Sequence, residues 1–255
     1  MFELNNVVFS IEERTILSTT SLKIEEGKVT TFLGHNGCGK STLMKLLTRQ
    51  NKATQGRVLL NQTPVEEYSP IDFALNVAYL PQHPPVTNGV TVRELVCFGR
   101  YPWKGAFGRY SKEDYRLVDE AIDKVGLTSF ADRYVATLSG GERQRAWVAM
   151  LLAQQSRCIL LDEPTSALDV AHQYELLALI RELNINLGLT VVMVLHDVNM
   201  AAKFSDQLVA LHSGQIIAQG TPQQLMTPDT LQRIYGIELA LHHDPITSHP
   251  ISYIR

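Results

Sequence analysis

The chain has 255 residues, 45% apolar and 19% charged, with 23 basic against 26 acidic side chains and a net charge of −3. This is ordinary globular usage and excludes a disordered, collagen-like or coiled-coil chain. The charge balance lacks the basic footprint of a duplex-binding protein, so no nucleic-acid partner is expected. Three cysteines, Cys38, Cys97 and Cys158, form no C-x-x-C pair; this argues against a disulfide framework or zinc site and for a reducing compartment. Met1-Phe2-Glu3-Leu4 lacks the basic start and apolar run of a signal peptide. No apolar run approaches the roughly 18 residues that cross a bilayer, so any service to a membrane is expected from its surface.

In chain order, strands are predicted at Phe2–Phe9, Ser21–Glu25 and Val29–Leu33, the last running through a glycine-rich turn into a helix over Ser41–Thr48. Further strands are expected at Arg57–Asn61 and Val77–Leu80. From Thr91 to about Leu138 the pattern is almost wholly helical. Tyr115, Val118, Ala121, Ile122 and Val125 mark one face of a helix over Ser111–Val125, and Gly99–Tyr110 reads as a loop. The α/β pattern resumes with a helix at Ser139–Gln154, a strand at Cys158–Leu161, a helix at Ala171–Leu187 and a strand at Thr190–Leu195. Gln207–Leu211 and Gln215–Gln219 read as a hairpin across His212-Ser213-Gly214. Two short helices near Thr221–Met226 and Thr227–Tyr235 follow, and the tail after Gly236 is expected to be irregular. This places the chain in the α/β class.

Gly34-His35-Asn36-Gly37-Cys38-Gly39-Lys40-Ser41-Thr42 fits G-x-x-x-x-G-K-[ST] in full, between a buried strand and a helix. The glycines let the backbone wrap phosphate oxygens, and the helix start adds partial positive charge. Lys40 is expected on the β- and γ-phosphates and the Ser41 hydroxyl on Mg2+, which makes ATP and Mg2+ the expected ligands. Cys38 sits beside a helix start, where a thiol is either activated or simply a small filler.

Cys158–Leu161 is an apolar strand delivering Asp162 and Glu163 to its carboxyl end, where ligands collect in open α/β sheets. Asp162 is expected in the Mg2+ shell and Glu163 as the base for an attacking water. Ser139-Gly140-Gly141-Glu142 is a capping box opening a helix, with two glycines baring its N–H groups. One ATP does not need two anion-binding helix ends from one subunit. The simplest resolution is a homodimer, in which Ser139, Gly140 and Gly141 bind the γ-phosphate held by a partner's Lys40.

The phosphate loop, Leu138–Gln144, Asp162-Glu163, Ser166–Asp169 and Val194–Asp197 occur in the order of an ABC-transporter ATPase, and the resemblance covers essentially the whole chain. It implies a RecA-like P-loop NTPase core with an antiparallel β subdomain and an inserted helical subdomain. The division expected is one domain over 1–240, with its core in 1–90 and 139–240, the helical part at about 91–138, and a short tail, 241–255. It also implies that Gln82 meets Mg2+ and water and senses a permease, that Asp169 lies at the dimer seam, and that His196 contacts the γ-phosphate. Many relatives stack a tyrosine on adenine where this chain has Ile11, so loose purine discrimination is expected.

Within that family the chain resembles the ATPase subunits of ferric hydroxamate (ferrichrome) siderophore importers, through Thr91–Trp103, Ser139–Ala149, Leu160–Ala171 and Gly214–Gln219. The resemblance implies a peripheral place on the cytoplasmic face of the inner membrane, a transmembrane permease as partner and, indirectly, a periplasmic siderophore-binding protein. Vitamin B12 and haem importers share the architecture. Tyr101 and Trp103 are either permease anchors or caps on the subdomain's own core. His242, His243 and His249 are too loosely spaced for a metal site and read as solvated. Two other classes remain: a soluble ABC-type ATPase acting on DNA or ribosomes, and a metabolic P-loop kinase. The first usually carries a coiled-coil insertion or a second cassette, and the second leaves the Ser139 motif unexplained.

Overall fold

The computed structural model describes every residue except Val86, Ala106, Phe107, 246–249 and Arg255. The chain divides into two compact units, Met1–Tyr68 with Arg181–Arg255, and Ser69–Ile180.

The first unit opens with β1 (Phe2–Ile11), β2 (Arg14–Ile24), β3 (Val29–Leu33), α1 (Lys40–Leu47), β4 (Gln55–Leu60) and β5 (Thr63–Pro64). The second holds α2 (Pro70–Asn76), β6 (Val77–Leu80), α3 (Val92–Phe98), α4 (Tyr101–Lys104), α5 (Lys112–Lys124), α6 (Gly140–Ala153) and β7 (Cys158–Leu161). After α7 (Val170–Leu187), which contains the boundary, the first unit resumes with β8 (Thr190–Val194), α8 (Val198–Phe204), β9 (Gln207–His212) and β10 (Gln215–Gly220). It ends with α9 (Pro222–Leu225), α10 (Pro228–Tyr235), β11 (Leu239–His243) and β12 (Pro250–Ile254).

In the first unit, β2, β1, β4 and β5 form an antiparallel sheet in that order. Along β1, Phe2, Leu4, Val7 and Phe9 are buried. The period of two is broken once by a bulge between Leu4 and Val7, where Asn6 takes φ 51°; the extra residue returns Val7 to the core face. β2 begins seven residues before the expected Ser21. Its Ser/Thr-rich stretch is half-buried, and its β-branched residues pair with β1 along the length of the strand.

Beside this, β3 is fully buried and pairs in parallel with both β8 and β9, as its unbroken apolar and threonine run requires. β9 and β10 form the expected hairpin. Ser213 and Gly214 both have positive φ, 47° and 77°, the signature of a type I′ turn. A Cβ on Gly214 would lie 2.3 Å from the Ile16 carbonyl oxygen, so only glycine fits there.

In the second unit β6 and β7 pair in parallel, Val77 with Cys158 through Leu80 with Leu161. Residues 91–138 hold α3, α4 and α5, which group with β6 and β7 because α6 packs on both α3 and α5. Val118, Ala121, Ile122 and Val125 are buried as the helical spacing predicts, but Tyr115 is 46% exposed. The Gly99–Tyr110 stretch is not all loop, for α4 interrupts it. Arg100 there is buried; its Nε donates to Asp114 Oδ1 at 3.1 Å and its Nη1 to the Ala153 carbonyl at 2.8 Å.

The tail, expected to be irregular, is a further correction. β11 and β12 form an antiparallel pair, anchored where Ser252 N–H donates to Asn199 Oδ1 at 2.7 Å and Asn199 Nδ2 donates back to the Ser252 carbonyl at 3.0 Å. No helix among the described residues is long and apolar enough to cross a membrane.

Candidate functional site

The phosphate loop leaves β3 and enters α1 as the motif requires. Gly34, Gly37 and Gly39 have φ of 148°, 78° and 108°. A Cβ on Gly34 would sit 2.3 Å from the Leu211 carbonyl oxygen and 2.5 Å from Cys38 Sγ, so this turn admits glycine alone. Gly39 precedes α1 with no side-chain cap, so the first N–H groups of the helix stay available to an anion. The Lys40 ammonium is buried inside the loop and donates to the carbonyls of Gly34 at 2.7 Å and His35 at 3.0 Å. Ser41 and Thr42 follow in the first turn, and His35 packs edge-on against His212 with ring centroids 4.8 Å apart.

Cys38 is the filler, not the reactive thiol. It is fully buried, and burial pushes its thiol pKa above the usual value despite the nearby Lys40 ammonium.

Elsewhere in this unit, His196 follows the buried end of β8 and is exposed. Its carbonyl accepts from Tyr235 Oη at 3.4 Å, and Asp197 caps α8 through the Met200 N–H at 2.9 Å. Ile11 ends β1 beside a two-residue turn and is 56% exposed. His242 and His243 are successive strand residues and point to opposite faces of the hairpin. His249 lies outside the described residues. Among the described residues no cluster of three His, Cys, Asp or Glu side chains could hold a metal.

In the second unit the parallel register of β6 and β7 brings their carboxyl ends side by side, and Asp162 N–H donates to the Leu80 carbonyl at 2.9 Å. This is why Gln82 Nε2, two residues past β6, donates to Glu163 Oε2, two residues past β7, at 2.6 Å. Asp162 is buried at the strand end, while Glu163 is half-buried and held at φ 50°. That left-handed backbone is uncommon for a non-glycine residue and clusters at functional sites.

Ser139 caps α6 as predicted. Glu142 N–H donates to Ser139 Oγ at 3.3 Å, and Ser139 N–H donates to Glu142 Oε2 at 2.8 Å. The Ser139 backbone N–H and hydroxyl, both hydrogen-bonded to the Glu142 carboxyl, hold it below its usual pKa. Ser139 is exposed, Gly140 half-buried and Gly141 buried. Asp169 is exposed ahead of α7, and Val170 beside it is 71% exposed. His172 also touches this group, through Asp169; the signal in the sequence is its spacing of three from that acid. A cavity of about 410 Å³ in this unit is lined by Gln82, Gly140, Gln144, Glu163 and Leu168.

Tyr101 and Trp103 are 58% and 47% exposed, so neither fills the unit's own core, although Trp103 Nε1 donates to the Gln154 carbonyl at 2.8 Å.

A family model described as ABC transporter matches residues 17–166. The chain is 44% identical over 239 residues to the iron(3+)-hydroxamate import ATP-binding protein FhuC of Bacillus subtilis (strain 168), covering 94% of this chain and 89% of that protein. It is 42% identical over 237 residues to the ferric enterobactin transport ATP-binding protein FepC of Escherichia coli (strain K12), covering 93% and 88%. Among solved structures it is similar to a bacterial ABC transporter cassette determined as a dimer. The TM-score is 0.75 at 27% identity, over 87% of this chain and 98% of that one.

Proposed function

Because this chain belongs to the ABC transporter family as one of its ATP-binding proteins, we propose that two copies of it hydrolyse ATP at a shared interface to drive uptake of ferric siderophores. The observation that carries this reading is the Ser139 turn: a second capped helix start, opened by Gly140 and Gly141 with Ser139 exposed, in a chain that already has a phosphate loop. In the proposed dimer each ATP lies between one copy's residues 34–42 and the other copy's Ser139, Gly140 and Gly141, with Asp169 at the seam. Residues 1–240 act as one ATP-binding domain whose helical part, about 91–138, moves with closure.

The chemistry then follows from charge and position. Lys40 balances charge on the β- and γ-phosphates, and His196 meets the γ-phosphate. Glu163 takes the proton of the attacking water at a carboxylate oxygen, while Gln82 orients that carboxylate through its amide N–H. Ser41, Gln82 and Asp162 would hold Mg2+. Their hydroxyl, amide carbonyl and carboxylate oxygens suit a hard divalent cation, and the burial of Asp162 suits a positive counter-charge. When bound, Mg2+ neutralises phosphate charge.

Relatives named for hydroxamate and for enterobactin, both above 40% identity, support a siderophore cargo; ferric hydroxamates are the specific proposal. Exposed Tyr101 and Trp103 suit anchors on a transmembrane permease. The subunit then works at the cytoplasmic face of the inner membrane, with a periplasmic siderophore-binding protein as indirect partner.

The test is Glu163→Gln in the full chain. Turnover should fall by about 10²–10⁴-fold, and ATP should drive the variant into dimers on size-exclusion chromatography. Undiminished turnover would remove Glu163 as the base, and full-rate hydrolysis by a monomer would overturn the shared interface.

A further inference from the structure

The glycine pair that opens α6 does not stand alone. A Cβ on Gly140 would lie 3.4 Å from Leu168 Cδ2 and 3.8 Å from the Ala167 carbonyl oxygen. A Cβ on Gly141 would lie 2.7 Å from Cδ2 of His172, 3.3 Å from its Cγ and 3.6 Å from its Cβ. One edge of the imidazole therefore covers the Cα of Gly141. The other edge faces Asp169: Nδ1 is 2.8 Å from both carboxylate oxygens, and the His172 backbone N–H donates to Oδ1 at 2.9 Å.

A helix cap needs only the backbone bond. The ring adds a charge-assisted bond and a packing contact that the cap does not require. These hydrogen bonds hold the Asp169 carboxyl below its usual pKa. Two consecutive glycines have more backbone freedom than any other pair, so a turn meant to present N–H groups in one direction needs a wall. His172 supplies it.

We propose that His172 is a positioning residue that ties the Asp169 carboxylate to the Ser139–Gly141 turn and holds that turn in register for the phosphate of a partner copy. This rests on the reading of the Ser139 turn given above. Replacing the ring frees the turn and lowers turnover without touching the groups that hold nucleotide on the phosphate loop.

The experiment compares the full-length wild type with His172→Ala, His172→Asn and Ser139→Ala. It measures kcat and KM for ATP hydrolysis and the affinity of each chain for a fluorescent ATP analogue. His172→Ala should lower kcat about tenfold, below the roughly 10²-fold cost of a 1 Å misplacement, with nucleotide affinity unchanged. His172→Asn restores a side-chain N–H toward Asp169 and should recover about a third of the loss. A kcat for His172→Ala within about twofold of wild type, or an affinity that falls as far as kcat, overturns the inference. So does an Asn variant no better than Ala. If Ser139→Ala abolishes turnover while His172→Ala stays within about twofold of wild type, the inference alone falls. If Ser139→Ala keeps wild-type turnover, the reading of the turn falls and the inference with it.

Discussion

Arg100 is a buried, multiply bonded charge in the second unit, and Arg100→Met tests what it contributes. The guanidinium donates to Asp114 at 3.1 Å, to the Ala153 carbonyl at 2.8 Å and to Gln155 Oε1 at 3.1 Å, and its Cζ lies 5.0 Å from the Trp103 ring centroid. Burial alone would raise the Asp114 pKa, but Lys104, Ser111 and Arg100 together hold it far below the usual carboxylate range. Methionine fills similar space and removes every one of those donors. Breaking a buried pair from one side costs about 3–5 kcal/mol. Lys104 still reaches Asp114 at 2.8 Å, which favours the lower end, while the Ala153 carbonyl loses its donor at about 1–3 kcal/mol. The sum is about 4 kcal/mol, or about 10 °C in Tm for a chain of this size. Urea and thermal unfolding of Arg100→Met, Asp114→Asn and the double variant measure it. The double variant should lose less than the summed singles by about 1–3 kcal/mol. A loss below about 1 kcal/mol for Arg100→Met, or additivity within about 0.5 kcal/mol, would refute the argument.

Three further outcomes are expected. Gly34→Ala should lower nucleotide affinity at least about tenfold, measured by fluorescent nucleotide titration, because its Cβ would overlap the Leu211 carbonyl at a φ that alanine resists. Asp206 is pushed up by burial but pulled below its usual pKa by Arg181, which meets both oxygens at 2.7 and 2.9 Å, and by the Val29 N–H. A depressed folded pKa stabilises fully above the ordinary carboxylate value and is lost as pH falls through the folded one, so Tm against pH should flatten on the acid side in Asp206→Asn. With exposed Ile11 at the position expected to meet the base, GTP should compete with ATP within about tenfold in a hydrolysis assay.

What the residues determine alone is what the chain does locally. The phosphate loop needs only its glycines, Lys40 and the flanking strand and helix, all within a short stretch. The Ser139 capping box closes over three residues and is legible for the same reason. β7 is apolar throughout and β3 mixes apolar residues only with threonine, so burial on both faces can be read directly. Other features required chain segments far apart in sequence to meet. Gln82 and Glu163 bond because the register of two parallel strands carries both to one edge. The tail became a hairpin because Asn199 supplies an anchor that no local pattern in residues 239–254 contains. Cys38 is buried by its neighbours, and the His172 ring lies against Gly141, neither of which a local pattern shows. Backbone conformation and capping are properties of neighbours in sequence; register, burial and side-chain approach are set only when the whole chain packs.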